Sequence, residues 1–156
     1  MRLSEEKGIV YVAVSDDYAG GIVTGESINT KYCSHVTYLL QFGDITGNSV
    51  LTVKSGATDG VQTTAETFYY RLADADAFAT GADNYAAEVS ASTLTLTAAT
   101  YNDRLLIVEV PVDELTAGQP FLTLELSAVA NPLDVAITAI LSGMRYAAND
   151  MPSVIA

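Results

Sequence analysis

The sequence has few basic residues, no tryptophan and a single cysteine. Seven Lys and Arg residues stand against 19 Asp and Glu residues, so the formal net charge is −12. Nucleic-acid binding needs clustered cations that neutralise phosphates, and this balance argues strongly against it. It argues against an anionic membrane surface for the same reason. The negative charge favours solubility or, as the alternative, attraction to a basic partner surface.

Disulfides, membrane spans and a secretory signal are also missing from the sequence. One cysteine, Cys33, excludes an intrachain disulfide, so we expect the fold not to depend on an oxidising compartment. No apolar run approaches the ~20 residues of a membrane span. The short apolar run 9–14 follows Glu5 and Glu6 and lacks a cleavage-like continuation, so we expect no signal peptide.

The sequence contains no recognisable catalytic motif. GxSxG, HExxH, GxxxxGK[ST] and GxGxxG are all absent. Cys33 and His35 are two residues apart and are the one candidate nucleophilic pair, but no third group orients them. A buried thiol beside a surface or interface histidine is the favoured interpretation.

An acidic stretch over 74–87 offers oxygen ligands at Asp74, Asp76, Asp83 and Asn84. Their spacing does not fit a calcium-binding EF-hand loop, because Phe78 takes the fifth position and the required glycine is missing. A solvated acidic loop is favoured. The sequence therefore predicts a non-enzyme with no catalytic residues, no metal and no cofactor.

Alternating apolar and polar residues dominate the rest of the chain. They predict strands, separated by turn residues, over 9–14, 32–42, 50–54, 67–73, 92–97, 104–110, 121–127 and 135–141. The fold class predicted is all-β: an antiparallel β-sandwich of about eight strands, with jelly-roll connections as one option. We expect an extended N-terminal arm or edge segment over 1–30, the sandwich over 31–150 and a tail over 151–156.

Residues 36–55 read as a central hairpin. Its core face is predicted to comprise Val36, Tyr38, Leu40, Phe42, Leu51 and Val53. The opposite face, with Cys33 and Leu39 among polar residues, is too mixed for free solvent and too polar for a second core. Tyr69 and Arg71 form a similar outward pair. We therefore predict an oligomer or partner interface at His35, Thr37, Leu39, Gln41, Tyr69 and Arg71.

Several segments resemble capsid decoration (cement) and head-associated proteins of tailed bacteriophages. They are GGIVTGESINTK (20–31), VTYLLQFGDITGNSVLTVKSG (36–56), TAETFYYRLADA (64–75), STLTLTAATYNDRLLIVEVPVDEL (92–115) and AILSGMRY (139–146). Together they cover more than half of the chain. They contain no chemical signature, and the chain does not match any one decoration family from end to end.

The resemblance implies a virion structural protein, made in the host cytoplasm, that binds the outside of an icosahedral capsid and braces neighbouring capsomers. The partners it implies are the major capsid protein and further copies of the chain, as a homo-oligomer, often a trimer. An N-terminal arm would contact the capsid, with candidate residues Ile9, Tyr11, Tyr18 and Ile22. The alternative is a carbohydrate- or receptor-binding module of a phage particle, which the absence of tryptophan disfavours.

Overall fold

The structure, a computed structural model, describes residues 7–18, 20–77, 79–127 and 133–144, and the predicted tail over 151–156 lies outside them. Nearly all regular structure in these residues is β. The twelve strands are β1 (Gly8–Asp17), β2 (Val23–Thr24), β3 (Ile28–Asn29), β4 (His35–Ile45), β5 (Ser49–Gly56), β6 (Thr64–Ala65), β7 (Phe68–Leu72), β8 (Val89–Ala91), β9 (Thr93–Leu96), β10 (Leu105–Pro111), β11 (Phe121–Leu126) and β12 (Leu133–Ser142).

Helical structure in the described residues is limited to single turns. One short helix, α1 (Ala98–Tyr101), precedes β10, and two 3-10 turns occupy Thr30–Tyr32 and Val112–Glu114. Eight of the twelve strands have four or more residues, namely β1, β4, β5, β7, β9, β10, β11 and β12. These are the eight strands that alternation predicts. The other four have two or three residues each, too few for a periodic pattern to be read.

The strands form two antiparallel sheets, as predicted. Sheet A has the order β1-β12-β4-β10-β7-β8, and sheet B has the order β2-β11-β5-β6, with β3 also paired to β11 and β9 to β5. In sheet A, β12 is inserted between β1 and β4, and in sheet B, β11 is inserted between β2 and β5. From β4 to β12, successive long strands alternate between the two sheets, and the last two fill the gaps left earlier. This is the connectivity of a jelly roll.

This connectivity overturns the predicted hairpin over 36–55. β4 pairs with β10 and β12, whereas β5 pairs with β11, β6 and β9, so the two strands belong to different sheets. The turn between them is a corner of the sandwich. The alternation in both strands is real, but the burial of one face does not specify which strand pairs with which.

The core lies between the sheets and contains the predicted side chains. All six residues assigned to the core face are buried: Val36, Tyr38, Leu40, Phe42, Leu51 and Val53. The alternating leucines and valines of β9, β10 and β11 are buried with them, namely Leu94, Leu96, Leu106, Val108, Val110, Leu122, Leu124 and Leu126. The side-chain period of two therefore placed the core residues of β4, β5, β9, β10 and β11 correctly.

The N-terminal segment is an integrated edge strand over residues 8–17. β1 pairs antiparallel with β12, from Gly8 opposite Leu141 to Asp17 opposite Asp134. Val10, Val12 and Ala13 face the core and are buried. The segment predicted as an arm or edge is thus held by its own apolar residues, rather than lying loosely against the sandwich.

Tyr38 is fully buried in the middle of β4, and its hydroxyl has no hydrogen-bond partner among the described residues. Burial, and secondly the nearby Cys33, raise the pKa of Tyr38 far above the usual 10.0. The unfolded chain therefore loses this proton first as pH rises. Tyr38 contributes its full stability below pH ~10, and that contribution falls by about 1.4 kcal/mol per pH unit above it.

We expect Tyr38→Phe to raise the free energy of unfolding by about 1 kcal/mol at pH 7, because it removes an unpaired buried hydroxyl. Between about pH 10 and 11 the variant should lose about 1.4 kcal/mol less than the parent protein. Urea unfolding at neutral and alkaline pH measures both effects. Tyr18→Phe is the control, because the Tyr18 hydroxyl donates to Val14 O at 2.8 Å. Loss of this hydrogen bond should lower the free energy of unfolding by about 1 kcal/mol. A Tyr38→Phe variant less stable than the parent at pH 7 would contradict the prediction.

Candidate partner-binding face

The outward side chains of sheet A form one continuous surface, here called the outer face. Strand register sets them in rows. The first row runs through Tyr11, Thr138, Leu39, Ile107 and Arg71, and the second through Ile9, Ile140, Thr37, Glu109, Tyr69 and Ser90. Flanking rows contain Ser142, His35 and Pro111 on one side and Ala136, Gln41 and Leu105 on the other.

Apolar side chains dominate the part of the outer face from β1 to β10. Leu39, Ile107 and Ile140 are half-buried by their neighbours. On the edge strand, Ile9 is 52% exposed and Tyr11 is 60% exposed. No described segment covers them from outside. Contiguous apolar surface of this kind, with polar groups at its border, is typical of interaction sites.

Charged groups lie on β10 and β7 and beside β8, with His35 on β4 as a further member. His35 Nε2 is 3.5 Å from Glu109 Oε1, and Arg71 Nη2 is 3.6 Å from Glu88 Oε2. These pairs are partly exposed and so add little stability by themselves. Arg71 and Glu88 offset one another locally, whereas the carboxylates of Asp16, Asp17 and Asp134 lie together beside Gln41, at one end of the face.

Tyr69 is fixed at this charged border. Its hydroxyl donates to Glu114 Oε2 at 3.0 Å. That hydrogen bond, followed by the negative charge of Glu114, raises the pKa of Tyr69. The phenol therefore stays protonated throughout the physiological range, and its single O–H is already donated to Glu114.

The outer face of sheet B has a different composition. Its outward positions include Thr24, Thr52, Thr93 and Thr95, and Lys54 Nζ pairs with Glu125 Oε1 at 2.8 Å. Val50 and Phe121 are also half-buried on this side. Threonine and an ion pair suit a solvated sheet surface. The contrast between the two faces marks sheet A as the candidate partner-binding side.

The structure brings together residues that the sequence assigned to two separate sites. All six predicted interface residues (His35, Thr37, Leu39, Gln41, Tyr69 and Arg71) lie on the outer face. Ile9 and Tyr11, predicted for a capsid-contacting arm, lie on the same face. Tyr18 instead packs partly against the core, and Ile22 is exposed just before β2, an edge strand of sheet B. The partner-binding role of these residues remains a prediction.

Cys33 does not share the face of His35, contrary to the alternation read from the sequence. Cys33 follows the first 3-10 turn, before β4 begins, and is buried, with Sγ 3.7 Å from Thr30 O. His35 is the first residue of β4 and points outward. The strand period does not extend into the turn, so the predicted pairing fails. The buried thiol is confirmed.

A cleft of about 650 Å³ lies at one end of the sandwich, lined by Thr30, Lys31, Ala57, Val112, Leu115, Thr116, Ala117, Gly118, Gln119 and Pro120. The nearby buried Glu66 accepts hydrogen bonds from Ser55 Oγ and, at 3.0 Å, from the Thr116 backbone N–H. Ser55 Oγ also lies 2.8 Å from Gln119 Oε1. This network holds the loop before β11 against β5, and we interpret it as structural.

Among the described residues, neither the acidic loop nor the outer-face tyrosines Tyr11 and Tyr69 form a converging set of ligands. Asp76 Oδ1 lies 3.2 Å from Arg104 Nε, and the described residues contain no group of three His, Cys, Asp or Glu residues that could hold a metal ion. Tyr11 and Tyr69 are separated by four strand intervals, or about 19 Å. That spacing is too wide for one sugar-stacking platform.

Sequence reasoning missed four aliphatic residues of the outer face: Leu105, Ile107, Ala136 and Ile140. The signal was available, because β10 (LLIVEVP) and β12 (LDVAITAILS) are apolar at almost every position. Strands buried on one face alternate, whereas near-continuous apolar runs indicate coverage on both faces. For β10, the sequence prediction considered only the inner residues and overlooked the apolar residues on the other face.

No protein-family model matches the chain, and no curated protein matches it. Within the described part of the chain, no helix is long and apolar enough to cross a membrane.

Proposed function

We propose that this protein is a virion structural protein that binds the outside of an icosahedral phage capsid and stabilises contacts between capsomers. Its partner is the major capsid protein, and its contact surface is the outer face of sheet A. The single observation that carries the proposal is that apolar side chains dominate this face from β1 to β10 and that no described segment covers them. The choice of a capsid partner rests on the resemblance of the sequence to decoration proteins.

The outer face has the dimensions of a protein-binding site. Six strands at about 4.8 Å spacing span about 24 Å, and the seven residues of β10 span about 23 Å. The product is on the order of 550 Å², against roughly 800 Å² per partner in a standard interface. Neighbouring loops would supply the remainder.

Many copies on one shell would strengthen a modest contact through avidity. The net charge of −12 opposes non-specific self-aggregation of the chain. The jelly roll itself does not favour this function over others, because the same architecture hosts many activities.

Leu39→Asp tests the proposal, because Leu39 lies near the middle of the outer face. We expect retention of the protein on capsids, measured by co-sedimentation, to weaken at least about tenfold, the effect of losing ~1.4 kcal/mol. The capsids should be assembled from the major capsid protein of the same phage.

Thr52→Asp is the matched control, because Thr52 is half-buried at the middle of the opposite sheet surface. It should bind like the parent protein. Thermal melts establish that both variants are folded. Undiminished retention of folded Leu39→Asp, or no retention of the parent protein, would overturn the proposal.

A further inference from the structure

The edge strand β1 has one side without a partner strand. β1 is the last strand of sheet A and pairs with β12 alone among the described residues. Its other side therefore presents a row of backbone N–H and C=O groups. Proteins usually protect such edges with charges, proline or very short strands.

β1 lacks most of these protections. It has ten residues, with no charge and no proline from Gly8 to Ser15. Its outward residues Ile9, Tyr11 and Val14 are more than half exposed. Register shifts against β12 at Tyr11/Ala13 and Ala13/Asp16 twist the second half, while the first half is regular. The opposite edge, β8, has three residues and is too short to template a ladder.

The charges of β1 are separated between its two ends. Lys7 precedes the strand, and Asp16 and Asp17 close it. Asp17 Oδ1 also accepts the Leu133 N–H at 3.1 Å. In an antiparallel pair of two β1 strands, Lys7 of each copy lies beside the acidic end of the other. A parallel pair would instead place like charges together.

We propose that β1 is a self-association edge, and that two copies of the chain pair antiparallel through it about a twofold axis. The uncharged middle of the strand lets two strongly negative chains approach each other there. The twofold axis places the first half of β1 in one copy, which has a regular register with β12, beside the bulged second half of β1 in the other copy. Because each copy uses its one long free edge, the assembly closes as a dimer.

Pairing at β1 joins the two copies of sheet A into one sheet. The outer faces then become continuous, with Ile9 and Tyr11 of both copies at the centre. The enlarged apolar surface suits a large partner such as a capsid shell. The inference concerns self-association and does not require the capsid proposal. It replaces the trimer implied by the resemblance with a dimer.

Tyr11→Lys is the first test. It places like charges near one another across the twofold, which is costly at an interface. We expect light scattering on the full-length protein to give twice the 16.4 kDa chain mass for the parent at micromolar concentration. The Kd for dimerisation should rise at least about tenfold in the variant.

Thr138→Lys is the matched control, because Thr138 lies opposite Tyr11 on the same face, one strand in from the edge. It should remain dimeric. Circular dichroism melts verify that both variants are folded. A monomeric or trimeric parent, or equal dissociation in both variants, would overturn the proposal whatever the result with capsids.

A charge exchange tests the antiparallel orientation. Lys7→Glu alone should weaken the dimer, and so should Asp16→Lys alone, because each places like charges side by side. The double variant Lys7→Glu with Asp16→Lys should recover most of the lost affinity. Failure of the double variant to recover would contradict antiparallel pairing.

Discussion

Deletion of residues 1–30 is expected to leave the remaining chain unfolded. The deletion removes β1, β2 and β3, and with β1 it removes the hydrogen-bonded partner of β12. The buried side chains lost with them include Val10, Val12, Val23 and Ile28. Circular dichroism and urea unfolding of the truncated protein measure the result.

The magnitude follows from burial. Fully burying an aliphatic side chain is worth about 1.5–3 kcal/mol, so four of them contribute about 6–12 kcal/mol, an upper estimate. A domain is typically stable by about 5–15 kcal/mol in total. Removing these residues therefore takes away most or all of the net stability, before the lost β-ladder is counted.

Two isoleucines in the same segment give a matched pair of point variants. Ile28 is fully buried, whereas Ile22 is 60% exposed. Ile28→Ala should cost about 2–5 kcal/mol, and Ile22→Ala should change stability by no more than about 0.5 kcal/mol. A cooperatively folded truncated protein, with native-like denaturant sensitivity, would show that the segment is a dispensable arm.

Gly56→Ala is expected to destabilise the protein by about 3 kcal/mol or more, the upper end for overpacking. A Cβ at Gly56 would stand 1.8 Å from the carbonyl oxygen of Val61 and 2.6 Å from its carbonyl carbon. Because these are backbone atoms, no side-chain rotation relieves the clash. The connection between β5 and β6 would have to move away from the end of β5.

Gly21→Ala serves as the control for Gly56→Ala. A Cβ at Gly21 meets nothing within 4 Å, and the residue does not have a positive φ. The free energy of unfolding of Gly21→Ala should therefore lie within about 0.5 kcal/mol of that of the parent protein. Chemical unfolding of the two variants side by side measures the difference. Equal free energies of unfolding would contradict the prediction, because they would show that the loop before β6 moves without loss of stability.

The sequence contained enough information for the strands and their inner faces. Residues such as Leu40, Leu51 and Leu124 sit at every second position of long strands, and a period of two maps directly onto one face of a sheet. The predicted interface side of β4 followed from the same period, since Thr37 and Leu39 alternate with buried residues. Strands of two residues, such as β2 and β3, left no period to read.

Cys33 marks where this reasoning stops along the chain. The alternation of β4 does not continue before His35, because the preceding residues form a 3-10 turn and its cap. The prediction that Cys33 shares a face with His35 was wrong for that reason. Its burial was nevertheless predictable, because an isolated cysteine behaves as a small apolar residue.

The sequence by itself determined that the protein is an all-β sandwich and which side chains of its long central strands, such as Leu40 and Leu124, enter the core. The tertiary structure decided that β4 and β5 lie in different sheets, that β1 is an edge strand and that Ile9, Leu39 and Ile107 share one surface. Alternation is a local property of each strand. Pairing between strands depends on long-range register and on turns that cross the sandwich, and no local pattern encodes it.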